Sequence, residues 1–177
     1  VSDFTNGEVD YFKMEKVKTI ATFAQKMFLS GSSIVSFADG KMNGYVFRSF
    51  CHYLAHKYPD AVLPYPQPEV NLPDFLGRWI WVVRAFAWFD PSTEQVVEEL
   101  IDYSKDAEWL VYRTKAFGFA AKAGKNWEAH NHNDVGSFCF ATNNKQIFAD
   151  VGRGEYTRQY FRDETRYDYF NPSSRSH

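Results

Sequence analysis

The first half of the chain repeats its apolar residues at helical spacing. Apolar residues recur at intervals of three and four over residues 14–28, which predicts an amphipathic helix. Two further helices are predicted over residues 45–58, ended by Pro59, and over residues 73–88. A fourth is predicted over residues 93–103, with Ser92 as its cap. Residues 59–73 hold five prolines and therefore predict a long loop.

The second half changes from the helical period to that of strands. Four short segments rich in β-branched and aromatic residues predict strands over residues 108–114, 117–123, 136–142 and 145–150. Asn143 and Asn144 separate the last two segments and are typical of a hairpin turn. We place a boundary near residues 104–107, with a helical domain over residues 1–105 and a β domain over residues 106–177. The predicted fold class is α+β.

Charge and composition argue against some kinds of binding partner. The formal net charge of −2, from 20 basic and 22 acidic residues, excludes a chain-wide basic field for nucleic acid. No apolar stretch reaches the length of a membrane span, so no membrane partner is predicted. Cys51 and Cys139 lie far apart and predict free thiols. Aromatic residues make up 19% of the chain. They suit sugar stacking, but core packing is the interpretation we favour.

An unusual polar segment precedes the predicted hairpin. His130 and His132 alternate with two asparagines and are followed by Asp134. In extended backbone, residues two apart point to the same face, so the two imidazoles project together. Imidazole is both a metal ligand and a base near neutral pH, which indicates metal binding or proton transfer. A polar turn with two solvated histidines is the alternative.

The hairpin is expected to return Asp150 to the end of the sheet where His130 and His132 lie. Two imidazoles and a carboxylate suit Zn²⁺, which accepts nitrogen and oxygen ligands in a tetrahedron. His177 is a further candidate ligand. A second histidine pair, His52 and His56, shares one helix face. A surface or packing role in the helical domain is favoured, because Tyr53 stands where a metalloprotease would need glutamate.

These motifs resemble the heparinase II/III-like family of polysaccharide lyases. The resemblance rests on the His-Asn-His run and its continuation at residues 130–138, the Asp-x-Gly-x-Gly-x-Tyr run at 150–156, Arg-Tyr at 166–167, and Ser-Ser-x-x-His at 173–177. It is tight over residues 113–177 and looser before them. It implies an (α/α) toroid followed by an antiparallel β-sandwich, with the active site in a cleft between them.

The resemblance also implies roles for individual residues. His130 matches an active-site histidine that transfers a proton or neutralises the uronate, and Tyr156 matches a tyrosine near the cleft. His132, Asp150 and His177 match the ligands of a structural zinc ion. The implied reaction is β-elimination on a uronic-acid-containing polysaccharide, in the periplasm or outside the cell. No signal peptide opens the chain.

The sequence departs from the family upstream of the motifs. In the family, a catalytic tyrosine and an asparagine come from the toroid, and Tyr11, the earliest tyrosine, stands in what looks like a helix lead-in. We therefore expect a fragment that spans the end of a toroid and the start of a sandwich. Such a fragment is expected to be a poor lyase, and its exposed helix faces favour self-association.

Three polar residues are candidates for binding an anionic sugar. Lys122 and Asn126 lie just upstream of the histidines, where a solvated turn is an equal interpretation. Arg153 could bind sulfate or uronate in a bidentate manner, or pair with nearby acidic residues. The alternative function is a non-catalytic, metal-stabilised carbohydrate-binding β-module, in which the histidines only hold a metal.

Overall fold

The computed structural model describes residues 2–42, 44, 48–59, 79–90, 99–125, 132, 134–150, 152 and 157–158. The chain divides into two compact units. One comprises Val1–Met27 and Val46–Val97, and the other comprises Phe28–Tyr45 and Glu98–His177. Each unit is therefore assembled from two separate segments of the chain.

The first unit is helical over the part that the structure describes. It contains two 3₁₀ helices, Asp3–Thr5 and Tyr11–Lys13, and three α-helices, α1 (Glu15–Lys26), α2 (Arg48–Lys57) and α3 (Trp79–Trp88). These α-helices confirm the first three predicted helices, with shorter bounds. Each bound falls inside the predicted segment, as expected for helix ends read from a pattern.

Aromatic side chains join α2 to α3 within this unit. The rings of Tyr53 and Trp88 stack with centroids 4.6 Å apart. His52 is buried, stacks on Phe89, and accepts a hydrogen bond at Nδ1 from the backbone amide of Asp90 at 2.7 Å. Of the surface and packing roles predicted for this histidine pair, His52 therefore has the packing role.

The second unit contains two antiparallel sheets. β1 and β2 pair with each other, and the other strands form a five-stranded sheet in the order β3-β4-β5-β6-β7. The strands are β1 (Phe28–Ser30), β2 (Ser33–Ile34), β3 (Leu100–Ser104), β4 (Trp109–Arg113), β5 (Phe117–Lys122), β6 (Phe138–Thr142) and β7 (Lys145–Phe148). Neighbours in the sheet are neighbours in sequence, as in a β-meander. The α+β class and the four predicted strands are confirmed.

The fourth predicted helix is wrong over its described part. β3 occupies its last residues and pairs with β4 along its whole length, from Leu100 opposite Arg113 to Ser104 opposite Trp109. Ile101 and Tyr103 are exposed while their neighbours along the strand are half-buried, which is the two-residue period of a strand. β-branched and aromatic residues favour strands, and pairing with β4 decides the outcome. Residues 91–98 lie outside the described residues.

β1 crosses one face of the five-stranded sheet at very short range. A Cβ atom on Gly118 would lie 2.1 Å from the carbonyl oxygen of Leu29, so only glycine fits at this point of β5. Arg113 donates a hydrogen bond from Nη1 to the carbonyl oxygen of Phe28 at 2.7 Å. Around this crossing lies a buried core formed by Phe28, Leu29, Phe37, Val111, Ala120, Cys139 and Ala141.

The opposite face of the sheet is aromatic. Phe117 stacks on Phe140 at 5.6 Å and Phe119 stacks on Phe138 at 6.1 Å. Phe138 also contacts Phe148 at 5.8 Å, and both of these rings are exposed. The sheet thus carries a small-residue face against β1 and a face of large rings on its other side. Among the described helices, none has the length and apolar character that crossing a membrane requires.

Candidate metal and catalytic site

The segment before β6 is held against the end of β5 by backbone hydrogen bonds. The amide of Lys122 donates to the carbonyl of Ser137 at 2.9 Å, and the amide of Gly136 donates to the carbonyl of Lys122 at 2.8 Å. The amide of Ser137 also donates to the carbonyl of Asp134 at 2.9 Å, which closes a turn. These bonds place His132 and Asp134 beside the end of β5.

A buried ion pair lies at the centre of this region. Lys122 Nζ is 2.8 Å from Asp134 Oδ1, and each side chain is only 1% exposed. The other oxygen, Asp134 Oδ2, accepts a hydrogen bond from the backbone amide of Ala38 at 3.2 Å. Asp134 therefore connects the end of β5 to the loop that follows β2. Pairing is what makes burial of both charges tolerable.

His132 lies beside a second carboxylate. Its Nε2 is 3.2 Å from Oδ1 of Asp39, which belongs to the same loop as Ala38. The imidazole is 1% exposed, whereas the Asp39 side chain is 26% exposed. The histidine is therefore buried, with a partly exposed carboxylate at one ring nitrogen.

Asp150 reaches the same region through the predicted hairpin, which is confirmed. β6 and β7 pair antiparallel with Thr142 opposite Lys145. Asn143 and Asn144 form the two-residue turn with φ values of 50° and 63°. Positive φ at both positions is the type I′ geometry that matches the twist of the strands.

The surroundings of Asp150 raise the pKa of its carboxyl above the usual value. Burial is the main cause, and the nearby carboxylate of Asp134 adds to it. Three groups oppose the rise: the amide of Gly152, which donates to Oδ1 at 2.7 Å, the positive charge that His132 carries when protonated, and the hydroxyl of Ser137. Asp150 thus lies within electrostatic range of both His132 and Asp134.

Two of the three predicted zinc ligands, His132 and Asp150, lie in this region. We use the name polar cluster for the group formed by Asp39, Lys122, His132, Asp134 and Asp150. His177, the third, lies outside the described residues, as do His130, Tyr156, Asn126 and Arg153. Their predicted roles stay predictions. Within the described ranges, no group of three or more His, Cys, Asp or Glu side chains is arranged to hold a metal ion.

The donor chemistry of the polar cluster suits a divalent cation. His132 supplies imidazole nitrogen and Asp150 supplies carboxylate oxygen, both of which Zn²⁺ accepts. Burial disfavours the ionised form of Asp150, and a bound cation would favour it. The donor types of His132 and Asp150 are therefore compatible with the predicted metal.

Lys122 has an internal partner for its charge. Because its ammonium is buried against Asp134, its first role in this structure is to hold that carboxylate. Its predicted contact with an anionic sugar stays a prediction.

Two members of the polar cluster were not among the predicted site residues. Asp134 could have been predicted from the sequence, because it follows His132 by two residues and so shares its face in extended backbone. Asp39 could not have been predicted from the sequence, since it precedes His132 by 93 positions and reaches it only through the packing of the loop.

The comparisons with known proteins do not name a family. Neither the models of known protein families nor the curated proteins gave a match to this chain.

Proposed function

We propose that this chain belongs to a polysaccharide lyase of the heparinase II/III-like type, which cleaves uronic-acid-containing glycans by β-elimination. The observation that supports it is the position of His132 and Asp150 in one partly buried polar cluster at the end of a sheet. The same two residues were predicted as zinc ligands from the motif. We extend the proposal to the finer architecture, with the helical unit as part of a toroid and the sheet as part of a sandwich.

The reaction needs three groups around a uronate. Neutralisation of the carboxylate acidifies the proton on C5, and a base removes it. The C4–O bond then breaks as the C4=C5 double bond forms, and an acid protonates the leaving oxygen. The enolate-like intermediate requires electrostatic stabilisation. We assign the proton transfers to His130 and Tyr156.

The zinc ion is proposed as a structural element held by His132, Asp150 and His177. When bound, it would offset the negative charge of the carboxylates and brace the end of the sheet. Ligand binding to the folded chain alone adds stability, so loss of a ligand should lower both zinc content and melting temperature.

Attraction of an anionic glycan must come from local charge, because the chain as a whole carries −2. Arg153 and Asn126 are proposed for this contact. The ammonium of Lys122 already faces Asp134, so it is the weakest candidate of the three. The periplasmic or secreted location implied by the resemblance belongs to the same proposal.

Zinc content measured by elemental analysis tests the metal part of the proposal. We expect about one zinc per chain in the parent and none in His132→Ala. His56→Ala is the matched control, because His56 is an exposed histidine of the other unit. Equal zinc content in His132→Ala and the parent, or no zinc in either, would contradict the assignment.

Release of unsaturated uronate, followed by its ultraviolet absorbance, tests the catalytic part. In the full-length enzyme, we expect His130→Ala to abolish elimination while the zinc content stays at the parental value. Loss of zinc together with activity in this variant would mean that the roles of His130 and His132 are exchanged.

The aromatic face of the sheet supports the second candidate, a metal-stabilised carbohydrate-binding module. Phe138 and Phe148 expose rings of the kind that stack on sugars. Such a module would bind uronate oligosaccharides without producing a double bond. If the aromatic face instead binds a second copy of the chain, the sedimentation coefficient should increase with protein concentration.

A further inference from the structure

We propose that Asp39 is a positioning residue for His132. Its carboxylate holds the proton of the imidazole on Nε2 and leaves Nδ1 as the nitrogen that would bind a cation. The part that concerns the cation rests on the proposed zinc site. The part that concerns the tautomer rests only on the contact between the two side chains.

The direction of the hydrogen bond follows when Asp39 is ionised. An ionised carboxylate only accepts, so Asp39 Oδ1, at 3.2 Å from Nε2, requires a proton on that nitrogen. A neutral imidazole protonated at Nε2 carries its lone pair on Nδ1. Histidines that bind metals commonly donate their second ring N–H to a carboxylate, which fixes the orientation of the ring. Asp39 occupies this position relative to His132.

The loop that carries Asp39 is fixed by the two residues that precede it. Ala38, its neighbour, has φ of 55° and donates its amide to Asp134 Oδ2. Phe37 is buried with its ring 5.2 Å from that of Trp109, in edge-to-face contact. Because Lys122 holds Asp134 in turn, the carboxylate of Asp39 is presented by a packed loop rather than by a free one.

The same loop also touches the segment of Asp150. A Cβ atom on Gly152 would lie 2.4 Å from the carbonyl oxygen of Gly40, so the two backbones are in close contact there. The amide of Gly152 donates to Asp150 Oδ1. One loop therefore contacts one predicted ligand directly and the other through its hydrogen-bond partner.

Nitrogen-15 NMR of the imidazole in the metal-free chain tests the tautomer. We expect the neutral form of His132 to carry its proton on Nε2 in the parent. In Asp39→Ala we expect a mixture of tautomers. In Asp39→Asn we expect the parental tautomer to be retained, because the amide oxygen still accepts a hydrogen bond. A parental His132 protonated on Nδ1, or doubly protonated at neutral pH, would overturn the proposal.

Zinc titration tests the consequence for the cation. The dissociation constant for zinc should rise by about 10–100-fold in Asp39→Ala, as for other residues that hydrogen-bond to metal-binding histidines. It should rise by less in Asp39→Asn. Asp102→Ala, in the edge strand β3, is the control for loss of a carboxylate from the same unit and should leave zinc affinity unchanged. Unchanged affinity in Asp39→Ala would also overturn the proposal.

The two measurements separate this inference from the proposed function. If the parent binds no zinc, the proposed metal site fails, while the NMR result alone still decides whether Asp39 sets the tautomer. If the parent binds zinc and the tautomer is insensitive to Asp39, the metal site stands and the positioning role of Asp39 is wrong. Amide spectra of each variant identify any loss of folding.

Discussion

The ammonium nitrogen of Lys122 lies 2.8 Å from Oδ1 of Asp134, and the two side chains are almost fully buried. Removal of one partner leaves the other charge buried without its opposite charge. We expect Lys122→Met to lower the free energy of unfolding by about 3–5 kcal/mol, measured by urea denaturation. Lys115→Met, at an exposed position of the same unit, should change it by at most about 0.5 kcal/mol.

A double-mutant cycle tests whether the loss in Lys122→Met comes from the unpaired charge. Asp134→Asn neutralises the carboxylate but keeps an oxygen that can accept from the amide of Ala38. The double variant Lys122→Met with Asp134→Asn should therefore lose less stability than the sum of the single variants, with a coupling of about 1–3 kcal/mol. Additive losses would show that the pair contributes by packing alone.

Gly118 provides a test of how β1 packs on the sheet. An added methyl group would collide with the backbone of Leu29, which cannot move away as a flexible side chain can. We expect Gly118→Ala to cost about 3 kcal/mol or more, above most overpacking substitutions. Ala121→Val adds bulk to the same strand on the opposite face and should change stability by no more than about 0.5 kcal/mol. Similar values for both variants would place β1 elsewhere.

The strand patterns were readable because they combine local periodicity with local turns. β5 and β6 alternate more buried and more exposed residues. Strands β4 to β7 each pair with a neighbour in sequence, so no long-range information was needed. The Asn143-Asn144 pair fixed the last hairpin, and through it the return of Asp150 towards His132. That part of the polar cluster followed from sequence alone.

The rest depends on contacts between distant segments. Phe28–Tyr45 lies among helical patterns in the sequence, yet it packs with the sheet, because Leu29 and Phe37 are buried there. Asp39 enters the polar cluster only as a consequence of that packing. The helix predicted where β3 forms was wrong for a related reason. Hydrogen bonding to β4 makes this segment a strand, and the sequence pattern of the segment alone does not contain that pairing.

The hairpin turn gives a test at Asn143, whose φ is 50°. Alanine disfavours this left-handed conformation, whereas glycine adopts it freely. We expect Asn143→Ala to destabilise the chain by about 1–2 kcal/mol and Asn143→Gly to leave stability nearly unchanged. Equal losses in both variants, measured by thermal unfolding, would mean that the asparagine side chain rather than its backbone supports the turn.

Asp150 gives a prediction in which stability and metal binding change in opposite directions. Burial, with Asp134 nearby, raises the pKa of Asp150 in the folded chain above its unfolded value. The folded state therefore holds the proton more tightly. This contribution to stability is fully present below the unfolded pKa of about 3.9 and is lost as pH rises through the folded pKa. At neutral pH the ionised carboxylate thus costs stability when no cation is bound.

Asp150→Asn removes that cost and also removes a predicted zinc ligand. In the metal-free chain at neutral pH, we expect this variant to melt at a higher temperature than the parent. The difference should shrink as pH falls through the folded pKa and vanish below the unfolded pKa, where the parental carboxyl is neutral as well. Added zinc should then raise the melting temperature of the parent and leave that of the variant unchanged. Asp106→Asn, in the exposed turn before β4, controls for the change from carboxylate to amide. A lower melting temperature for metal-free Asp150→Asn would mean that the hydrogen bonds from Gly152 and Ser137 to the carboxylate outweigh its burial, and that the site is already satisfied without a metal.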